Sequence, residues 1–207
     1  PNWKVADLVG HVASVFNMVS GVLESDDHPG HLPALPAGGV DKAYDDALSR
    51  LLRGLDETDP ALERWNWSVG PHVAGFWWRR MAHETAVHRW DAESAVSASR
   101  PLDPDLAADG IDEWFDVHLR SDITDPDIAG QAAGTIQIQC LDTPNGYWAS
   151  LADRTLVFQR SVADSDVTLR GGTSDLLLLL WGRVPPETVE VIGDASVLQS
   201  WLDVPDI

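Results

Sequence analysis

Apolar residues recur at helical spacing through the first 120 positions of the chain. In residues 4–25 they fall on one face of a predicted helix, which carries Val5, Leu8, Val12, Val15, Val19 and Val22. A stretch rich in Asp, Gly, Pro and His separates this helix from a second amphipathic helix at residues 41–55. Pro71 is predicted to open a third helix that runs to about Ser97, and residues 105–119 are predicted to form a fourth. The pattern therefore predicts an all-helical first part.

Beyond these helices, apolar residues recur at every second position, which is the spacing typical of β-strands. Short strands are predicted between turn residues, at positions 135–141, 146–151, 156–159 and 167–170. The remaining predicted elements are a helix at 176–181 capped by Thr173, Ser174 and Asp175, a strand at 188–192 and a helix at 195–202. We therefore expect an α+β fold of two domains, with a helical domain at residues 1–125 and a small α/β domain at residues 126–207.

Composition narrows the range of partners and compartments. The chain has 14 basic and 33 acidic residues, and its formal charge of −19 argues against nucleic acid or an anionic membrane surface as the partner. The single cysteine, Cys140, excludes an internal disulfide framework, and the alternating pattern around it favours core packing over nucleophilic chemistry. We expect no segment long and apolar enough to span a bilayer and no signal peptide, which makes a cytoplasmic protein the default.

Residues 79–91 carry the strongest chemical signal. Each helical residue adds about 100° of rotation, so five side chains fall within about 40° of Trp77, namely Met81, Glu84, His88, Asp91 and Ala95. Charges on a core-facing stripe are costly unless they are paired or bind a metal. Two interpretations stay open on spacing alone. One is a metal site, and the other is a buried ion-pair network in which Arg80 neutralises Glu84.

The spacing excludes the zincin motif H-E-x-x-H, whose two histidines lie four residues apart. His83 and His88 are five residues apart, roughly 140° around a helix, and do not face one ion. Glu84 and His88 do, which makes the glutamate a candidate ligand. His83 is predicted to be a packed, hydrogen-bonded histidine on a neighbouring apolar face.

A third ligand has to come from another segment, and His11 is the best candidate because it flanks the apolar stripe of the first helix. Metal sites in helical bundles are built from inward side chains on facing helices. Two histidines and one carboxylate leave coordination positions open, which is typical of catalytic zinc, nickel or iron. Asp91, one turn after His88, is predicted to orient a ligand.

Two segments resemble the mycothiol-dependent maleylpyruvate isomerase family of actinobacteria, namely residues 1–11 (PNWKVADLVGH) and 78–91 (WRRMAHETAVHRWD). Residues 172–183 (GTSDLLLLLWGR) also resemble its second domain, a small α/β unit similar to sterol carrier proteins. The resemblance implies a DinB-like four-helix bundle that holds a divalent metal through His11, Glu84 and His88. Family members have a helix before the first segment, so we expect the bundle formed by these residues to lack its first helix.

The resemblance also implies a chemistry. Mycothiol, a low-molecular-weight thiol, is ionised at the metal and adds to a small electrophilic substrate. Expulsion of the thiol after bond rotation gives cis–trans isomerisation, and its retention gives S-transfer. Arg80 and Arg183 are the candidates for binding carboxylates of thiol or substrate. Two alternatives stay open: a metal-dependent hydrolase in which water replaces the thiol, and a non-catalytic protein whose second domain carries an apolar ligand.

Overall fold

The structure is a computed structural model, and it describes residues 3–25, 31–32, 39–120, 134–152 and 155–203. The chain divides into two compact units, Pro1–Arg100 and Pro101–Ile207. The first unit is helical, and the second combines helices with a five-stranded sheet. The predicted α+β fold class is therefore confirmed.

Long helices build the described part of the first unit: α1 (Val5–Ser25), α2 (Val40–Glu57) and α3 (Gly75–Ser94). The apolar stripe predicted for α1 is largely buried, and Phe16 and Val19 on this helix have no exposed surface. Leu51 from α2 and Trp77 from α3 join the same core. Each fully buried side chain of this size contributes about 1.5–3 kcal/mol, so the shared core fixes the three helices against one another.

The composition of α1 corrects one expectation about membranes. We expected no segment capable of spanning a bilayer, yet α1 is long and apolar enough by length and composition alone. Of its most apolar stretch, 56% is buried inside the protein, as in the core helix of a soluble protein. This helix is therefore weak evidence for a membrane span, since core packing accounts for its apolar side chains.

The third helix begins later than predicted. The backbone N–H groups of Ala74 and Gly75 donate to the carbonyls of Leu62 and Pro60, each at 2.8 Å. These bonds tie the segment to the preceding loop rather than to a helical turn. Pro71 therefore lies in a loop, and α3 starts four residues after it.

The second unit opens with α4 (Pro104–Glu113), followed directly by a π-helical segment, Trp114–Leu119. The Asp103 side chain caps α4 by accepting the backbone N–H groups of Asp105 and Leu106 at 3.1 Å. The helix predicted for residues 105–119 is thus confirmed. The spacing of its apolar residues does not indicate that the second part has the wider π geometry.

The strands of the second unit are β1 (Gly134–Cys140), β2 (Gly146–Ala152), β3 (Thr155–Gln159), β4 (Val167–Gly171) and β5 (Glu190–Gly193). They form one sheet in the order β3-β2-β1-β4-β5, in which β1 and β4 pair in parallel and the other neighbours are antiparallel. Ile136 and Ile138 of β1 and Leu169 of β4 are fully buried on one face. Helices α5 (Thr173–Leu180) and α6 (Ala195–Leu202) both pack against β1 and β4.

Helix α4, which the predicted boundary assigns to the first domain, lies in the second compact unit of the structure. The junction at residues 125 and 126 lies outside the described residues, but α4 belongs to the second unit. The Tyr147 hydroxyl of β2 donates to the Ala108 carbonyl at 2.9 Å, and the Leu102 N–H donates to the Ser174 hydroxyl oxygen at 2.9 Å. These buried hydrogen bonds connect α4, and the residues just before it, to the sheet and to helix α5 of the second unit.

Two smaller expectations about the second unit also change. Helix α5 is not capped by its own Thr173–Asp175 segment, because the Asp142 carboxylate accepts the Thr173 N–H at 2.9 Å instead. The predicted strand at 188–192 begins only at Glu190, since Pro186–Thr188 form a 3₁₀ turn.

Candidate metal centre

The centre begins with two side chains one turn apart on α3. Glu84 and His88 project from the same face, and the Glu84 Oε1 atom lies 3.1 Å from the His88 Nε2 atom. Trp77 and Met81 continue this face toward the start of the helix and are buried. The stripe predicted from helical spacing is therefore present, with polar groups at one end and core packing at the other.

His11 of α1 reaches the same point from the neighbouring helix. Its Nε2 atom lies 3.5 Å from Glu84 Oε1, and its ring centroid lies 5.3 Å from that of His88, with the two planes nearly perpendicular at 84°. One donor atom from each of the three side chains lies within 4.8 Å of the others. The structure thus brings together the three residues that we predicted as ligands.

The donor set fits a divalent transition metal. Two imidazole nitrogens and a carboxylate oxygen are ligands that zinc accepts at about 2.0–2.2 Å, which places neighbouring donors roughly 3.3 Å apart in tetrahedral geometry. The separations of 3.1 and 3.5 Å from Glu84 to the two imidazoles lie close to that spacing. Three protein donors also leave a coordination position for a small molecule, as catalytic rather than structural sites do.

Two further side chains orient the ligands. The Asp91 Oδ2 atom lies 2.9 Å from His88 Nδ1, so the other ring nitrogen of His88 faces Glu84 and His11. Arg80 donates through Nη2 to Glu84 Oε2 at 2.8 Å, which leaves Oε1 directed at the histidines. A carboxylate–histidine pair of this kind fixes the ring orientation at metal sites.

The protonation states follow from these contacts. Burial raises the pKa of the Glu84 carboxyl, but hydrogen bonds from His11 and His88, together with the charges of Arg80 and His88, outweigh burial and hold that pKa well below 4.5. Burial lowers the pKa of His88, yet hydrogen bonds to Asp91 and Glu84 raise it to about 9. Without a metal, His88 is therefore a cation at neutral pH, and a metal has to displace its proton.

Family models match both units of the chain. The model for the mycothiol maleylpyruvate isomerase N-terminal domain matches residues 1–93, and the one for the MDMPI C-terminal domain matches residues 105–200. The chain belongs to the mycothiol maleylpyruvate isomerase family. The residues between the two matches include Arg100, where the structure divides the units. A search of curated proteins found no sequence match to this chain.

Some solved structures are similar in fold. A sterol carrier protein 2 like 2 from Aedes aegypti is 18% identical, with a TM-score of 0.36 over 49% of this chain and 98% of that one. A UbiJ-SCP2 ubiquinone synthesis protein is 16% identical, with a TM-score of 0.36 over 48% of this chain and 88% of that one. The sec-alkylsulfatase Pisa1 from Pseudomonas sp. is 15% identical, with a TM-score of 0.41, and this whole chain spans 33% of it.

The other residues singled out from the sequence are on a different face of α3 or in the second unit. His83 is buried on a different face of α3, with 2% of its surface exposed, and its predicted packing is confirmed. Arg183 belongs to the second unit, where it donates to the Trp181 carbonyl at 2.6 Å. Cys140 is half-buried at the end of β1, and burial raises the pKa of its thiol above the ordinary value, although hydrogen bonds to Thr173 and Thr143 oppose this.

Arg80 forms the ion pair with Glu84 that we named as the alternative to metal binding, and 5% of its side chain is exposed. The pair does not compete with the metal site, because it uses the carboxylate oxygen that faces away from the histidines. Sequence reasoning missed Trp3, whose ring contacts His11 at 5.1 Å between centroids. The signal was present, since Trp3 lies about two helical turns before His11, but its contact depends on how the chain enters α1.

Proposed function

We propose that the protein is a metal-dependent, mycothiol-dependent enzyme that acts on a small electrophilic substrate by cis–trans isomerisation or S-transfer. The observation that carries this proposal is the convergence of His11, Glu84 and His88, whose donor atoms lie within 4.8 Å of one another. Membership of the mycothiol maleylpyruvate isomerase family supports the choice of thiol. Zinc is the metal that the donor set favours, with nickel and iron as alternatives that the same ligands accept.

A divalent ion at this site would lower the pKa of a coordinated thiol, so that the thiolate form is present at neutral pH. The residues of the chain serve that chemistry in separate ways. His11, Glu84 and His88 supply the protein ligands and leave room for the sulfur. Asp91 holds the His88 ring, and Arg80 holds the Glu84 carboxylate in a fixed orientation.

The nucleophile is external in this proposal. Cys140 is the chain's single cysteine, and burial raises the pKa of its thiol, which disfavours the reactive thiolate. A small thiol therefore has to enter the site together with the electrophile. Arg183 stays a candidate for binding a carboxylate of either molecule, because a guanidinium forms two parallel hydrogen bonds to such a group. A reducing cytoplasm, where such thiols stay reduced, is the proposed location.

The experiment compares zinc-loaded wild-type protein with the His88→Ala variant, with and without mycothiol. Maleylpyruvate reports isomerisation, 1-chloro-2,4-dinitrobenzene reports S-transfer, and p-nitrophenyl acetate reports hydrolysis. We expect thiol-dependent turnover of at least one of the first two substrates, with a loss on the order of 100-fold or more in the variant because a metal ligand is missing. Thiol-independent hydrolysis of the ester by the wild type would instead favour a metal-dependent hydrolase. Zinc binding without turnover of any substrate would favour a non-catalytic protein.

A further inference from the structure

Trp3 differs from the other tryptophans in its exposure to solvent. All ten tryptophans of the chain fall within the described residues, and the other nine are buried or half-buried. Trp3 keeps 49% of its surface exposed. A tryptophan ring presents a large flat apolar surface, and such a surface beside a few convergent polar groups is typical of a ligand-binding site.

The indole lies directly beside the metal centre. Its ring centroid is 5.1 Å from that of His11, with the planes tilted by 48°. Side chains on a helix lean toward its N-terminus, so the His11 imidazole points back toward the residues that precede α1. The same imidazole contacts Glu84 through Nε2 at 3.5 Å. One ring therefore separates Trp3 from the carboxylate ligand.

The start of α1 holds Trp3 in this place. The Lys4 N–H donates to the Asp7 carboxylate at 2.8 Å, and the Lys4 carbonyl accepts the N–H groups of Asp7 and Leu8 at 2.9 and 3.1 Å. The bond to the Asp7 carboxylate is one half of a capping box, and the two bonds to the Lys4 carbonyl begin the first helical turn. The backbone next to Trp3 is therefore anchored rather than frayed.

Within the set of three ligand side chains, solvent exposure is greatest for the residue that contacts Trp3. Of the three ligand side chains, His11 is the most exposed at 26%, compared with 15% for Glu84 and 13% for His88. Arg80, behind Glu84, is 5% exposed. A small molecule that reaches the ligand set from solvent therefore approaches along the His11 edge, where the exposed indole stands.

We propose that Trp3 is a specificity-determining residue, whose indole face forms a wall for the flat, unsaturated part of the electrophilic substrate. This inference rests on the proposed function and names the shape of its substrate. A conjugated double bond with its carbonyl group is planar, and planar groups pack against aromatic rings in offset or edge arrangements. The indole has no charge to bind the polar parts of the thiol, so its effect belongs to the electrophile.

The first test measures binding without turnover. Sorbate, a flat conjugated carboxylate, is titrated into zinc-loaded wild-type protein and the variants Trp3→Ala and Trp3→Phe by calorimetry. Covering about half of an indole ring, roughly 100 Å², corresponds to an affinity change on the order of 50-fold. We expect Trp3→Ala to lose that factor and Trp3→Phe to keep most of the affinity. Equal affinity of wild type and Trp3→Ala, or binding to neither, overturns the inference.

The second test separates the two small molecules. In steady-state assays Trp3→Ala should raise KM for the electrophile by a similar factor while KM for mycothiol and the zinc content stay unchanged. Leu52→Ala is the matched control, because Leu52 is an apolar side chain on α2 with 57% exposure, and it should change none of these values. An increase in KM for mycothiol instead of the electrophile contradicts the assignment. Absence of thiol-dependent turnover in the wild type contradicts the proposed function, and sorbate binding still decides the role of Trp3.

Discussion

Replacing Glu84 by Gln should destabilise the metal-free protein, because this carboxylate is the counter-charge for three basic groups. Arg80 donates to it at 2.8 Å, and the imidazoles of His88 and His11 lie 3.1 and 3.5 Å away. In a site made of several acidic ligands, removing one acid relieves repulsion in the absence of metal. Here the carboxylate attracts the basic groups around it, so its removal should lower the stability of the metal-free protein instead of raising it.

The magnitude follows from burial. The Arg80 side chain is 5% exposed and that of Glu84 is 15% exposed, so the pair is largely desolvated. Breaking a buried ion pair costs about 3–5 kcal/mol, and the amide oxygen that replaces the carboxylate still accepts a hydrogen bond from Arg80, which reduces the loss to about 2–4 kcal/mol. The pKa of Glu84 is depressed in the folded state, so its contribution to stability is complete above the unfolded pKa of a glutamate and disappears as the pH falls through the folded pKa.

The assay is urea unfolding in the presence of a chelator, at about pH 6 and at several values below the unfolded pKa of a glutamate, about 4.3. We expect the difference in the free energy of unfolding between wild type and Glu84→Gln to be largest at the higher pH and to decrease in acid. Glu93→Gln is the matched control, since Glu93 accepts from Arg89 at the same i,i+4 spacing and 2.8 Å on the same helix, but the two arginines it binds are more exposed. It should lose less stability. Equal stability of Glu84→Gln and wild type near neutral pH would refute the electrostatic reasoning.

The remaining predictions concern the orientation of a ligand, the sheet and the thiol. Asp91→Asn should weaken zinc affinity by about 10- to 100-fold in a chelator competition, because His88 loses its orienting carboxylate; unchanged affinity would contradict this. Gly193→Ala should lower the unfolding midpoint of the protein, because Gly193 has φ +108° and a Cβ there would lie 2.3 Å from the Asp166 carbonyl oxygen; an unchanged midpoint in denaturant titrations would argue against that strain. Cys140 should react slowly with iodoacetamide in the folded protein and rapidly in urea, and equally fast modification in both states would contradict its burial.

Much of the candidate site follows from helical geometry. Glu84 and His88 are four residues apart, so their meeting is a local consequence of the helix, as is the contact from His88 to Asp91. The meeting of His11 with these two residues is not local, because His11 lies on another helix. It could be predicted because the apolar stripes of the two helices have to face a common core. The distinction between ion pair and metal ligand for Glu84 is not visible in spacing, because it depends on which oxygen meets Arg80.

The errors arise where tertiary contacts decide the outcome. The apolar face of α4 has the same spacing whichever unit it packs against, so the spacing does not indicate that α4 belongs to the second unit. Pro71 is a common first residue of helices, but backbone bonds from Ala74 to an earlier loop hold the chain out of helical geometry. Trp3 was missed because its position depends on the cap formed by Asp7, a contact that no periodicity records.

Metal content tests the central claim most directly. Wild-type protein, His11→Ala, His88→Ala and the control His72→Ala, which alters an exposed loop histidine, are dialysed against zinc and analysed by elemental mass spectrometry together with circular dichroism to verify folding. We predict close to one zinc per chain in wild type and control, and a large loss of zinc in the two ligand variants while they stay folded. Full zinc occupancy in folded His11→Ala and His88→Ala would contradict the metal centre described above.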